Sequence, residues 1–462
     1  MRIAELAGCR VAIWGLGREG RAALAALGTR LPTLPVTVFC SANEAAEHAE
    51  IDATLITTAP DAAKLAAFDI VIKSPGISAY RPEITAAERD GTRFTSGTAL
   101  WFAEHPEARV IAVTGTKGKS TVSALIAHLL RARRHRVALA GNIGLPLLEL
   151  LDPPLAPDWW VIELSSFQTR AAGRVAVGVI TNVYEDHLDW HGSRERYLAD
   201  KLAIAVRAVR LVVNAKQPDI LARIEVDAVE AGNASPDICR FGAEHGWHVR
   251  KGAIFRGDLR VLEVDDVPLP GAHNALNLCA ALAALEAAGD DALAAARHIA
   301  TFRPLPHRLQ MLGPRDGLNW IDDSIATTPR ASLEALASVP RREVTTLLVG
   351  GHDRGLDWSE FVDAVMRAPP HAIVTMGASG PRIAALLRSR GALPFQLEPC
   401  GSLADAVSMA RTQTNHGGTV LLSPGAPSFD AFRDYVERGR TFATLAGFDA
   451  DTIGEIRGLG IA

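Results

Sequence analysis

Short, wholly apolar runs alternate along this chain with longer stretches in which apolar residues return every third or fourth position. Apolar runs bounded by glycine turns predict buried strands, the periodic stretches predict helices, and their alternation predicts parallel β/α units. "CRVAIWGLGREGRAALAAL" reads as strand, glycine turn and helix, with further strands in "VTVFC" and "DIVIKSPG". A second segment opens at "VIAVTGTKGKSTVSALIAHLLRA", with its helix expected from Thr121. It continues through strands in "DWWVIELSSFQ" and "VAVGVITNV" to "GAHNALNLCAALAALEAAG", a helical pattern with a glycine stop. A third segment repeats the habit in "VTTLLVGG", "HAIVTMG" and "GTVLLSPG". "HPEAR" (His105–Arg109) and the proline-bearing "TFRPLPHRLQ" read as the boundaries, which predicts α/β domains over 1–105, 106–304 and 305–462.

Composition narrows the class. The chain has 462 residues, too many for one ordinary domain, and 48% hydrophobic with 22% charged residues is the balance of a globular protein. A net charge of -4 without a basic arm gives no sign of a nucleic-acid partner, none is expected, and any anionic substrate is left to local cations. Cys9, Cys40, Cys239, Cys279 and Cys400 are scattered, which fits reduced thiols in a cytoplasm rather than a disulfide framework or a structural zinc site. No apolar run reaches the ~18–20 residues of a membrane span, and no secretory signal is read at the N-terminus.

Two glycine loops carry the candidate chemistry. The first, Gly15-Leu16-Gly17-Arg18-Glu19-Gly20, follows a strand and opens a helix, the setting in which a backbone approaches a pyrophosphate. The next strand ends in "VFCSANE", with Ser41 and Asn43 before Glu44, and lacks the terminal acid expected for a dinucleotide ribose. The second loop, in "VTGTKGKSTVSALI", is a shortened relative of the phosphate loop G-x-x-x-x-G-K-S/T. Gly115 and Gly118 supply the bend, Thr116 and Lys117 the backbone between them, Lys119 a cation for β/γ-phosphates and Ser120 a magnesium ligand. Thr121 stands where the helix N-terminus favours anions.

The run T-G-T-x-G-K-S-T resembles the Mur ligase and folylpolyglutamate synthase superfamily. "ELSSFQ", "TNVYEDHLDWHG", "YLADK", "HNALN" and "PHRLQ" support the resemblance in chain order, as do "DDSIATTP" and "LLSPGAPSFDAFRDYVERG". The wording is most similar to ligases that add glutamate to UDP-N-acetylmuramoyl-L-alanine in peptidoglycan precursor synthesis. The resemblance implies three domains: an N-terminal Rossmann-like unit for UDP, a central P-loop ATPase and a C-terminal Rossmann-like unit for the amino acid. It assigns Gly15, Leu16 and Gly17 to the UDP side of the nucleotide-sugar rather than to NAD.

The implied reaction activates a carboxylate with ATP as an acyl phosphate, which an amine then attacks; the crowded negative charge demands cations. By resemblance, Lys119 neutralises phosphate, Ser120 and Glu163 hold one Mg²⁺, and His187 helps hold a second. Lys201 matches a carbamylated lysine whose oxygens ligate metal. Read alone, Lys201 is a solvated lysine on the helix "LADKLAIA". Asn277 and Arg308 match nucleotide and phosphate contacts, Asp323 the ATP ribose contact, and Asn142 with His187 the acceptor. Thr327, Ser428 and Phe429 match the amino-acid pocket, and the implied protein is a cytoplasmic monomer.

The chain departs from the pattern in that pocket. Ile325 and Arg354 stand where the family has lysines, Tyr435 where it commonly has phenylalanine, and "TSGTALWF" lacks a usual acid. A fork replacing a point charge changes how a carboxylate is held. These departures favour the branch that adds L-glutamate, with D-glutamate as the alternative. A folylpolyglutamate-synthase-like ligase is a more distant alternative, disfavoured by the domain preceding Lys119. A nucleotide-binding regulator descended from a ligase is disfavoured by the presence of Lys119, Glu163, His187 and Lys201.

Overall fold

A computed structural model describes residues 1–230, 236–269, 271–452, 456 and 458–462. It divides into two compact units. The first comprises Met1–Asp266, Ala275–Phe302 and Gly458–Ala462; the second comprises Val267–Asn274 and Arg303–Arg457.

The first unit carries two doubly wound sheets. One has five parallel strands in the order Thr54–Ile56, Val36–Phe39, Val11–Trp14, Ile70–Lys73, Arg93–Thr95. Val11–Trp14 lies at the point where the winding reverses, and the Gly15–Gly20 turn leaves its C-terminal end, the position where open α/β sheets bind ligands. The other sheet runs Asp237–Phe241, Ala208–Asn214, Val175–Ile180, Val110–Thr114, Trp159–Glu163, Val137–Gly141, Gly460–Ile461. Its central strands are buried along their whole length, which is why they read as unbroken apolar runs. Trp101, on the helix Gly97–Glu104, packs its ring 4.6 Å from that of Trp160 and joins the two sheets in one core. A three-stranded antiparallel sheet, Trp247–Arg250, Ala253–Arg256 and Leu259–Glu263, completes the unit.

The second unit holds a six-stranded sheet in the order Gln310–Arg315, Leu318–Asp322, Thr419–Leu422, Thr345–Val349, Ala372–Thr375, Gln396–Pro399. Only its first pair is antiparallel.

The three α/β segments of the sequence are thus three separate parallel-type sheets. Two details differ from expectation. The helix after the second glycine loop spans Lys119–Ala132 and begins at Lys119 rather than Thr121, because Gly118 caps it in the left-handed region. The chain's end returns to the first unit, where Gly460–Ile461 pairs antiparallel with Val137–Gly141.

Candidate active site

The shortened phosphate loop is braced from outside. Thr181 and Asn182, just after the strand Val175–Ile180, supply hydrogen bonds to it. The Thr116 N–H donates to the Asn182 carbonyl (2.8 Å), the Lys117 N–H to Asn182 Oδ1 (2.8 Å), and Thr181 Oγ1 to the Lys117 carbonyl (2.7 Å). Thr116 Oγ1 meets the Tyr197 hydroxyl at 2.7 Å. Gly115 is required by space, since a Cβ there would lie 2.0 Å from Thr181 Oγ1. Lys119 Nζ donates to the Thr116 carbonyl at 3.1 Å, and Ser120 is buried in the first helical turn.

Lys201 is the sharpest departure from a local reading. It lies on the helix Arg194–Leu202 but is only 2% exposed, and its Nζ donates to the Gly115 carbonyl at 2.9 Å. Burial first, and the Lys119 charge second, bring its pKa down to about 7, against the opposing pull of Asp186 and Glu163. A buried amine that is substantially neutral near pH 7 is a nucleophile rather than a surface cation.

Glu163 ends the strand Trp159–Glu163 and is 1% exposed. Asn142 Nδ2 donates to its Oε1 at 2.7 Å, while Oε2 is buried with no hydrogen-bond partner. An unsatisfied buried carboxylate oxygen is costly, and a hard cation is the group that suits it. Among the described residues no three His, Cys, Asp or Glu side chains form a ready cluster, so a cation here would rely on Ser120 and phosphate oxygens as well. His187, at φ 52°, opens the short helix Leu188–His191 with half of its side chain exposed, 3.6 Å from Asp186 and edge-on to Phe167. Partial desolvation, then the nearby Lys201 and Lys119 charges, lower its pKa against Asp186 and Asp189. Asn277 is buried on the helix Ala272–Ala287, with its amide against Gly118.

At the first glycine loop, Ser74 Oγ donates to the Gly15 carbonyl at 3.1 Å, Leu16 is buried and Gly17 caps the helix Arg18–Arg30. Glu19 in that loop carries a carboxyl pushed up to about 7, by burial first and by Glu149 second.

The remaining site residues belong to the second unit. Asp323 is buried just beyond the strand Leu318–Asp322, accepting from Ser423 Oγ (2.7 Å) and the Leu309 N–H (3.2 Å). Burial drives its pKa up to about 7 against those bonds. Arg308 sits between His307 and Leu309, both at positive φ (60° and 45°), and His307 Nδ1 is 2.6 Å from Asp322 Oδ2. Thr327 is half-buried ahead of the helix Pro329–Ser338, and Tyr435 begins the helix Tyr435–Leu445 with its ring 6.1 Å from His307. Arg354 is exposed on the turn after Thr345–Val349, whose backbone is tied to the Ser428 loop by Gly350 N–H to Pro424 O (2.7 Å) and His352 N–H to Pro427 O (2.9 Å). Ser428 is buried and Phe429 is exposed. A cavity of about 580 Å³ opens beside these loops, lined by Gly351, Met376, Asp430 and Arg438 among others.

Sequence reasoning assigned no role to Tyr80, Asp200 or His191. Asp200 is 2% exposed and accepts from the Tyr80 hydroxyl (2.8 Å), His191 Nδ1 (2.7 Å) and Arg170. Those partners lie 120, 9 and 30 residues away, so only the position of Asp200 beside Lys201 in "YLADK" hints at its place.

The chain is similar to known proteins along its whole length. Residues 113–285 match the Mur ligase middle domain. The UDP-N-acetylmuramoyl-L-alanine--L-glutamate ligase of Xanthomonas euvesicatoria pv. vesicatoria (strain 85-10) is 53% identical, with all of both chains aligned. The crystal structure of a UDP-N-acetylmuramate-alanine ligase from Thermotoga maritima shares the fold, with a TM-score of 0.62 at 21% identity over 94% of this chain and 98% of that one. A MurF ligase from Thermotoga maritima in complex with ADP gives a TM-score of 0.56 at 16% identity, covering 83% of this chain and 94% of that one. With a shortened phosphate loop, a buried lysine beside it and a full-length relative at this identity, the chain belongs to the Mur ligase family.

Proposed function

We infer that the protein is an ATP-dependent ligase that joins L-glutamate to UDP-N-acetylmuramoyl-L-alanine in peptidoglycan precursor synthesis. The observation that carries the substrates is the 53% identity, over both whole chains, to the Xanthomonas enzyme so named. The chemistry is supported by the convergence of Lys119, Lys201 and Glu163 around the second glycine loop.

In this reading a carboxylate oxygen of the acceptor attacks the γ-phosphorus of ATP, ADP leaves, and an acyl phosphate remains. The glutamate nitrogen then attacks the carbonyl carbon, releasing inorganic phosphate and a proton. Gly115, Thr116, Lys117, Gly118 and Thr121 present backbone or side chain to the phosphates, and Lys119 offsets their charge. Asn277 and Arg308 hold the nucleotide and its phosphates, and Asp323 the ribose. Mg²⁺ supplies positive charge at the developing phosphate oxygens when bound. The free Oε2 of Glu163, with Ser120, fits one such ion, and His187 with a modified Lys201 fits a second. The neutral Lys201 amine forms an N–C bond with carbon dioxide and loses a proton, which turns a buried amine into a carboxylate-like ligand.

Gly15, Leu16, Gly17 and Asn142 are assigned to the nucleotide-sugar, and Thr327, Arg354, Ser428, Phe429 and Tyr435 to glutamate. We assign 1–105, 106–304 and 305–462 to UDP, ATP and amino-acid binding, in a monomer working in the cytoplasm. Among the described residues no helix is long and apolar enough to cross a membrane. The test is a product assay with D- and L-glutamate offered separately. Amide product from L-glutamate is expected; a clear preference for D-glutamate overturns the assignment.

A further inference from the structure

We propose that Asp200 is a positioning residue for Lys201 and the centre of a relay that couples the first glycine loop to the phosphate loop. The proposal rests on assigning the first loop to the nucleotide-sugar and the second to ATP.

The relay is a continuous run of contacts inside the first unit. It begins at Gly15, whose carbonyl accepts from Ser74 Oγ at 3.1 Å; a Cβ at Gly15 would come within 2.7 Å of that oxygen. Ser74 starts the segment that follows the strand Ile70–Lys73. Lys73 Nζ folds back on this segment to the Ile77 carbonyl at 2.7 Å. The segment then bonds to the helices Leu188–His191 and Arg194–Leu202 through Pro75, Ser78 and Tyr80. Trp190 Nε1 donates to the Pro75 carbonyl (3.1 Å), Ser78 Oγ to the Trp190 carbonyl (2.5 Å), and the Tyr80 hydroxyl to both carboxylate oxygens of Asp200 (2.8 and 2.9 Å). Asp200 is followed directly by Lys201, whose Nζ ends the run on the Gly115 carbonyl.

Asp200 is the link with the most at stake. Its carboxylate is 2% exposed, and a buried carboxylate is tolerated only while its donors remain in place. Its donors come from three segments: Tyr80 from the segment after the strand Ile70–Lys73, Arg170 after the strand Trp159–Glu163, and His191. His191 is itself fully buried and turns its other nitrogen to Ser166 Oγ at 3.0 Å. The Asp200 carbonyl also accepts from Thr169 Oγ1 at 2.6 Å. Any ligand that shifts the 74–80 segment therefore withdraws or strengthens Tyr80's bond to a buried charge. The last turn of the helix Arg194–Leu202, and with it the direction of Lys201, must respond. The Tyr80 hydroxyl thus both satisfies the buried Asp200 carboxylate and ties it to the 74–80 segment.

Coupling between two sites is a ratio of affinities and is reciprocal. The experiment titrates ADP into the full-length protein by calorimetry, without and with saturating UDP-N-acetylmuramoyl-L-alanine, and then reverses the order. The wild type is expected to show a change of about fivefold or more in either order. Tyr80→Phe keeps the ring and removes one hydroxyl, and its coupling ratio is expected to fall to within about twofold of unity. A merely structural role for Tyr80 would lower the melting temperature and leave the ratio alone. A Tyr80→Phe ratio equal to that of the wild type overturns the relay. A wild type that binds the acceptor and ligates L-glutamate but shows no coupling overturns the relay and leaves the ligase reading standing. A wild type that does not bind the acceptor overturns both.

Discussion

Gly118 stands against Asn277: a Cβ on the glycine would lie 2.4 Å from the asparagine's Oδ1. Gly118 also has φ 81°, where a side chain costs roughly 1–2 kcal/mol. Gly118→Ala therefore meets two penalties, one in the backbone and one at the residue proposed to hold the nucleotide. Turnover is expected to fall by more than about tenfold, mainly through ATP. Removing the obstruction as well, in Gly118→Ala with Asn277→Ala, restores space but neither the backbone nor the proposed asparagine contact, so turnover should stay low. Steady-state kinetics of the single variant with kcat/KM near that of the wild type would show the loop to be more forgiving than its geometry.

Lys201→Ala tests the proposed carbamate. The substitution removes the Nζ contact to the Gly115 carbonyl and the amine that carbon dioxide would modify. The variant is expected to be nearly inactive, and a short carboxylate such as acetate should restore part of the rate by supplying the missing oxygens. Full activity without any additive would return Lys201 to a purely structural place beside the loop.

Glu19 gives a prediction about pH. Its carboxyl is held up to about 7, above an ordinary value of 4.5, by burial first and Glu149 second. The folded state therefore prefers the neutral acid. That contribution is complete below about 4.5 and is lost as the pH rises through 7. Glu19→Gln keeps a neutral side chain of the same length, so it should raise the melting temperature at pH 8, by roughly 2–4 °C, and change it little at pH 4. Thermal melts showing the same difference at both pH values would count against a buried, proton-holding Glu19.

What the sequence revealed was local. The strand, glycine turn and helix around Lys119 are contiguous, so this unit was readable from residue types and their context despite the shortened spacing. Even there the helix begins at Lys119, because the left-handed turn at Gly118 admits no earlier helical residue. Lys201 was not readable in this way: the Gly115 carbonyl that holds it is 86 residues away, and its helix looks solvated in isolation. The same distance hid Tyr80 and Asp200, 120 residues apart. The strand Gly460–Ile461 is two residues long, too short for any period to show. Family resemblance alone singled out Lys201 and Glu163; both are buried, the one with its pKa brought down to about 7 and the other with a carboxylate oxygen without a partner.

Arg354 carries the remaining question, how the glutamate side chain is held where the family's lysines are absent. It is exposed on the turn after Thr345–Val349, and its neighbour Asp353 is already committed elsewhere. Arg382 Nη2 and Nε donate to Asp353 at 2.6 and 2.9 Å, and that pairing holds the Asp353 carboxyl down to about 2. Asp353 is therefore already paired, and Arg354 beside it is exposed and is proposed to meet the glutamate side-chain carboxylate. The Arg354 loop is bonded to the Ser428 loop through the Gly350 and His352 N–H groups. Ile325, half-buried with its N–H donated to the His307 carbonyl, offers no charge to share the task. Arg354→Ala should raise the glutamate KM by about tenfold or more and leave the ATP KM nearly unchanged, since a lost charge-assisted bond costs about 1.5–3 kcal/mol and each ~1.4 kcal/mol is tenfold in affinity. Arg354→Lys should recover part of the loss, because a point charge replaces the fork. Equal increases in both KM values would remove Arg354 from the amino-acid pocket.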